Sequence, residues 1–307
     1  MPAIWIPKRL VEISLINTAA ESAQSFVTHC EIEYENRVRA AADEVLSAGA
    51  RVVMLTGPSA SGKTTTAHKL AEALTEKGHK SIVVSLDNFF RNLDSYPRLP
   101  DGSKDYENVT TLDIPEVNRC ISELIETRCT DLPQFDFITE ERMPQRTHIE
   151  LHDGVAIIEG IHALNPQLTA MVKGQVYKIY AGLREEYSHG GQRVLPTRDV
   201  RLARRMVRDF KYRGHSPEKT IQMWQAVCDG EDKFIKVFKP TADLLLDTSF
   251  SYEVCCLAPF VASLQGTVPV NSTANEALQS IISRFALCTP IPAQLIPATS
   301  MLREFIG

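Results

Sequence analysis

The sequence contains no Cys-x-x-Cys pair, no internal repeat and no low-complexity segment. Its seven cysteines, at 30, 120, 129, 228, 255, 256 and 288, are odd in number and unpatterned. That excludes a disulfide framework and predicts reduced, buried thiols in a cytosolic protein. A clean run of about 20 apolar residues is also missing. The longest uncharged stretch toward the C-terminus, 254–275, is broken by Pro259, Gly266 and Pro269, and residues 1–16 by Pro2, Pro7, Lys8 and Arg9. Neither a membrane span nor a secretory leader is expected. Basic excess is lacking too: 33 Lys+Arg face 38 Asp+Glu, a net charge of -5. A general nucleic-acid coat is thereby excluded, though a local basic patch is allowed. With 307 residues, 44% hydrophobic and 23% charged, the composition is globular rather than disordered, collagenous or coiled-coil.

Periodicity organises the rest. The first 18 or so residues have no regular pattern. Residues 19–47 then carry Val27, Cys30, Tyr34, Val38, Ala41 and Val45 at steps of three or four, one stripe of a helix that Gly49 closes. Beyond it, short apolar runs alternate with helical stretches. Strands are predicted at 51–56, 81–86, 155–158, 176–181 and 243–247, and helices at 64–77, 115–127 and 197–212. Such alternation gives an α/β fold, a mostly parallel sheet with helices on both faces. The polar segment 91–106, with Pro97, Pro100 and Asp101-Gly102, reads as a functional loop over the carboxyl edge of the sheet. Residues 289–297 contain three prolines and are expected to run over the surface. Three units follow: a helical extension (1–49), a main domain (50–265), and a C-terminal helix with a Pro-rich tail (266–307).

The most specific motif is Gly57-Pro58-Ser59-Ala60-Ser61-Gly62-Lys63-Thr64, a full GxxxxGK[ST] between a strand and a helix. Its glycines let the backbone bend around a phosphate. Its N–H groups and the helix behind them form a concave anion site. Lys63 reaches the β- and γ-phosphates, and the Thr64 hydroxyl is a hard ligand for Mg²⁺. No guanine-reading Asn-Lys-x-Asp is present. Glu159, a single carboxylate after an apolar strand, is placed to help hold the metal. Asp87 follows another strand and should face the same crevice, where it can take a proton from a hydroxyl or hold Mg²⁺.

Between Arg193 and Lys219 nine Lys/Arg meet three Asp/Glu. Arg201, Arg204, Arg205 and Arg208 share one helix face, and Leu202, Ala203, Met206, Val207 and Phe210 the other. Guanidiniums on one face call for an anion, which phosphoryl transfer supplies. A solvated basic face is the plain alternative, and the overall acidity disfavours nucleic acid. Gly190-Gly191 and Gly214 bracket the stretch as hinges for a lid. The segment His148-Ile-Glu150-Leu-His152 is not H-E-x-x-H and reads as the solvated face of a strand. Cys255-Cys256 reads as core.

Taken in order, residues 57–65, 85–89, 133–137, 158–165, 201–209 and Arg213-Gly214 resemble the uridine kinase/phosphoribulokinase family of P-loop small-molecule kinases. The likeness covers roughly 51–264 and is strongest to the bacterial uridine kinase-like branch. It implies a P-loop NTPase fold with an Arg-rich lid helix, ATP as donor, Mg²⁺, and transfer to a primary hydroxyl such as the 5′-OH of a nucleoside. It implies that residues 57 through Thr65, with Arg201 and Arg204, hold ATP. Thr64, Asp87 and Glu159 would hold the metal. Asp87 would be the base, helped by Lys63, Arg204 and Arg205. Phe90, Glu107, Phe135, Glu140 and Arg205 would join Asp87 at the acceptor. The chain departs from the family at the base-reading end. Glu140 stands where uridine-cytidine kinases carry a pyrimidine-reading His, His215 and Met223 replace an Arg and a Gln, and Glu107 replaces an Asp. Uridine is thus the family default for the acceptor. Rivals are another polyol or phosphosugar, or an ATP-binding regulatory or RNA-associated role. The expected partners are a small-molecule acceptor, no membrane and no nucleic acid, in the cytoplasm. The N-terminal helix is free to pack on the core or to pair with a second copy as a homo-oligomer.

Overall fold

The structure is a computed structural model that describes residues 7–98, 102, 104–136, 139–172 and 174–307. Residues 1–6, Pro100 and Asp101 of the polar loop, and Phe137 lie outside the described residues. In chain order the elements are β1 (Arg9–Glu12), α1 (Ile13–Ala20), α2 (Ala23–Ser47), β2 (Val52–Thr56), α3 (Lys63–Glu76) and β3 (Ile82–Ser85). Then come α4 (Ile114–Glu126), β4 (Cys129–Asp136), β5 (Glu141–Glu150), β6 (Ala156–Glu159) and β7 (Val176–Gly182). Next are β8 (Glu185–His189), β9 (Gln192–Leu195), α5 (Thr197–Tyr212) and α6 (Pro217–Phe234). The last are β10 (Leu244–Asp247), α7 (Glu253–Ala262), α8 (Thr273–Phe285) and α9 (Arg303–Ile306).

The main sheet has five strands in the order β10-β7-β2-β6-β3, all parallel. Every residue of β2 is buried. The pleat sends Val53 and Leu55 to one face and Val52 and Met54 to the other. The first face is covered by α2, α3 and α7, with Tyr34, Leu70 and Leu257 in its core. The second is covered by α4 through Val117, Ile121 and Leu124. The sheet and its two helical layers match the pattern read from the sequence. α4 starts where Asp113 caps the Glu116 N–H at 3.2 Å, with Pro115 in the first turn. The N-terminal lead-in packs on the core: the Tyr34 hydroxyl meets Thr66 Oγ1 at 2.7 Å in the interior.

Several elements differ from expectation. The leading residues are regular: β1 pairs in parallel with β8, and α1 precedes α2. β4 and β5 form an antiparallel ribbon whose second strand is largely exposed. Within it His148 meets Asp131 at 2.8 Å. Gly190 and Gly191 form the tip of the β8–β9 hairpin at φ 59° and 76°, a turn rather than a hinge. The tail is not a surface strap. Its prolines face solvent, but Ile291, Ile296, Met301, Leu302, Phe305 and Ile306 are buried in the main core. Phe305→Ala is therefore expected to cost about 3–5 kcal/mol of stability. Urea unfolding checks it, and a loss below about 1 kcal/mol would return the tail to the surface.

Candidate active site

The carboxyl ends of β2, β3 and β6 deliver the glycine-rich loop, Asp87 and Glu159 to one edge of the sheet, at the point where strand order reverses. Gly57 is required by space: a Cβ there would fall 2.3 Å from the Ala181 carbonyl oxygen and 2.5 Å from Ser61 Oγ. Gly62 is required by conformation, with φ 80° at the N-cap of α3. The loop then opens directly into the N-terminus of a helix of 14 residues, the backbone anion site that the motif demands.

Asp87 is exposed to the crevice but crowded by protein. Burial raises its pKa, while Lys63 and then Arg213 pull it down. The three groups therefore act on one another across the crevice. Glu159 is buried, which raises its pKa; Lys63 lowers it, Asp87 raises it, and the Ser85 and Thr64 hydroxyls help hold it. One of its oxygens, Oε2, has no hydrogen-bond partner among the described residues. A buried carboxylate oxygen left unpaired beside a threonine hydroxyl is the donor set of a hard cation.

The acceptor side lies beyond Asp87. Phe90, Leu93, Tyr96, Tyr106, Phe135 and Glu140 line a cavity of about 150 Å³. Phe90 and Phe135 meet edge to face at 5.7 Å. A second cavity of about 400 Å³ runs from Glu107 and Tyr106 to Met223, Val227 and Phe234 of α6. Burial raises the Glu107 pKa, and Arg205 and Lys63 oppose it. The structure thus brings Phe90, Glu107, Phe135 and Glu140 to one side of the crevice. His162, in the segment after β6, is buried edge-on to Phe234, and burial pushes its pKa down to about 4. It is a neutral imidazole at pH 7.

The arginine stripe departs most from expectation. Arg204 has no exposed surface. Its Nε donates to Glu253 Oε2 at 2.7 Å, and its Nη atoms reach the Ala60 and Thr248 carbonyls. Arg201 is also buried and makes two bonds to Glu231, at 2.6 and 2.8 Å, and one to the Ser59 carbonyl at 2.8 Å. Both guanidiniums grip loop carbonyls and are neutralised internally, so they brace the loop instead of facing a phosphate. Arg205 alone of these three reaches a loop side chain, Ser59 Oγ, at 2.9 Å. The expected apolar side of the helix leaves Phe210 exposed. Sequence reasoning missed Glu231 and Glu253, and no local signal marks them. It also left Arg213 without a role, although the Arg-Gly pair had been noticed.

The C-terminal tail packs against α5 and the start of α3. Thr65 Oγ1 donates to Glu304 Oε2 at 2.8 Å. Phe305 lies under the Arg204 guanidinium at 5.0 Å, and Met301 packs on Gly62. Thr65, expected at a phosphate, is thus engaged by a carboxylate of the same chain.

Breaking the buried pair by Arg204→Ala should cost about 3–5 kcal/mol, because Glu253 would be left buried without its partner and the Ala60 and Thr248 carbonyls without their donor. Arg204→Met with Glu253→Leu should recover most of that. Denaturant unfolding of the single and double variants checks it, and a single-variant loss near zero contradicts the bracing role.

A family model described as Phosphoribulokinase / Uridine kinase family matches residues 52–253. The chain is 26% identical over 235 residues to uridine kinase of Saccharomyces cerevisiae, covering 75% of this chain and 43% of that protein. It is 26% identical over 197 residues to uridine kinase of Lactobacillus helveticus, covering 64% of this chain and 85% of that protein. The chain therefore spans less than half of the yeast relative and most of the bacterial one. Among solved structures, phosphoribulokinase from Rhodobacter spheroides aligns with a TM-score of 0.44 at 15% identity, covering 66% of this chain and 74% of that one. No helix among the described residues is long and apolar enough to cross a membrane. With the family model covering most of the chain, the chain belongs to the phosphoribulokinase/uridine kinase family, kinases that transfer a phosphoryl group to a hydroxyl.

Proposed function

We propose that this protein transfers the γ-phosphate of ATP to a hydroxyl of a small molecule, a nucleoside in the first instance. The observation that carries the reading is the position of Asp87. It lies in the field of Lys63 on the donor side and, after burial and Tyr106, adds to the raised pKa of Tyr96, a wall of the aromatic cavity, on the acceptor side. A flat, ring-bearing acceptor suits that cavity, since aromatic walls favour edge and face contacts with a planar guest. The name of the relatives, uridine kinase, points the same way.

In this reading the loop's N–H groups and Lys63 hold the donor phosphates, and Asp87 accepts the proton of the acceptor hydroxyl. That oxygen attacks the γ-phosphorus in line as the bond to the β-bridging oxygen breaks, and ADP leaves. Thr64 and Glu159 would hold Mg²⁺, which neutralises charge on the phosphates when bound. Arg205 and Arg213 are the cations left to approach the transferring group. Glu107 is placed to accept hydrogen bonds from acceptor hydroxyls. Phosphosugars or other polyols are the next acceptors to try, because Glu140 and Met223 supply no base-reading donor.

Asp87→Asn should keep ATP binding and lose about 10²–10⁴ in turnover. Turnover within a few-fold of the parent would remove Asp87 as base. A raised Asp87 pKa has a definite sign: the base is protonated, and activity lost, as pH falls through a value above the usual aspartate range of about 3.9. A kcat/KM profile against pH should show that acid limb. A panel of nucleosides, polyols and phosphosugars, read by ADP release, identifies the acceptor. No stimulation by any of them would defeat the kinase reading.

A further inference from the structure

Four aromatic rings and one carboxylate enclose the small cavity beyond Asp87. Phe90, Tyr96, Tyr106 and Phe135 wall it, and Leu93 and Glu140 complete the lining. The rings form a chain of contacts. Phe135 meets Phe90 at 5.7 Å, Phe90 meets Tyr96 at 6.3 Å, and Tyr96 meets Tyr106 at 5.7 Å. Their planes are inclined at 69°, 48° and 75°, so they make a box and not a flat stack. The volume, about 150 Å³, matches that in which a protein interior takes up a single benzene-sized ring.

The charge on this box has one sign. Glu140 lines it, and among the described residues no lysine, arginine or histidine does. Lys104 and Lys233 line only the larger cavity. Arg142, two residues beyond Glu140, is turned to Asp113 at 2.6 Å. Burial pushes the Tyr96 phenol up to about 12, and the groups that add to this are Tyr106, Asp87 and Glu140, all acids. Glu140 also holds a left-handed backbone, φ 57°, in the turn between β4 and β5. Glycine or asparagine would adopt that conformation more readily. Strain of this kind gathers at ligand clamps.

A neutral base is read by paired hydrogen-bond donors and acceptors, and this wall offers two phenols and an acid. Ring faces are the negative side of an aromatic quadrupole. Several of them around a pocket, with a carboxylate and no competing base, attract an organic cation. We propose that the acceptor is a nucleoside-like alcohol with a positively charged ring, which the box of Phe90, Tyr96, Tyr106 and Phe135 receives beside Glu140 while the hydroxyl lies at Asp87. This rests on the kinase reading above and names the class of its acceptor.

The test compares two acceptors of one shape on the full chain: N-ribosylpyridinium, and the neutral riboside that carries a phenyl ring in the same place. ADP release with ATP and magnesium reads turnover, and calorimetry without ATP reads binding. The cation should be preferred in kcat/KM by about 10-fold or more. Glu140→Gln, and Tyr106→Leu on an exposed ring, should each narrow that preference. A ratio taken on one preparation does not depend on how much of a variant is folded. Equal use of the two probes, a preference for the phenyl riboside, or an unchanged ratio in both variants overturns the cationic acceptor and leaves the kinase reading standing. Turnover of uridine with neither probe bound does the same. Binding of the pyridinium that weakens in Glu140→Gln, without turnover of any acceptor, upholds the box and defeats the kinase reading instead.

Discussion

The glycine-rich loop can bind an anion only if its N–H groups point into the crevice, and they do so only if its carbonyls are held from behind. That is the constraint on which the rest of the structure depends. Arg201 and Arg204 supply the hold, through the carbonyls of Ser59 and Ala60. A buried guanidinium is costly unless it is paired, so each arginine needs a buried carboxylate. Glu231 from α6 and Glu253 from α7 provide them. Three helices distant in sequence are thereby tied to one turn of six residues. A buried ion pair of this kind contributes little net stability, since its desolvation offsets its attraction. What it supplies here is geometry.

This also explains what could and could not be read from the sequence. The five parallel strands were legible because each is a short apolar run buried on both faces. Val52 to Leu55 and Ile157-Ile158 have no other plausible use. The loop, Asp87 and Glu159 followed, since a parallel sheet exposes functional groups at its carboxyl edge whatever else the chain does. The arginine helix misled for a physical reason. Amphipathicity places charge outside and carbon inside, but here Arg204 is inside and Phe210 outside. The partners that invert the rule stand 30 and 49 residues further along, where no local pattern reveals them. Of the ribbon of β4 and β5 only the end near His148 was legible as a strand, because β5 is polar on both sides. The tail escaped because its prolines suggest surface, while its apolar residues, too irregularly spaced to form one helix stripe, fill the gap behind α3 and α5.

The two flanks of β2 consequently differ in kind. Toward β3 and β6 the crevice is open and lined by carboxylates and aromatic rings. Toward β7 lies a cavity walled by Pro58, Tyr180, Gly182 and basic side chains, while residues 301–306 cover the start of α3, with Glu304 on Thr65 and Phe305 on Arg204. A nucleotide seated on the loop with its γ-phosphate facing Asp87 must direct its nucleoside end away from that flank of carboxylates. Donor binding meets the tail at Thr65 through charge: Glu304 repels a phosphate that approaches Thr65 and attracts Arg208, 3.8 Å away.

Internal pairing of some arginines has a further consequence for where the remaining charge resides. α6 spends Glu231 on Arg201 and Asp232 on Arg198 and Lys236. Asp209 on α5 is shared among Arg205, Arg208 and Arg213. These carboxylates are thus committed to holding the loop and the helices around it. What the charged side chains of α5 and α6 supply is therefore fixed by the loop they hold: their carboxylates lie where its braces need a counter-charge.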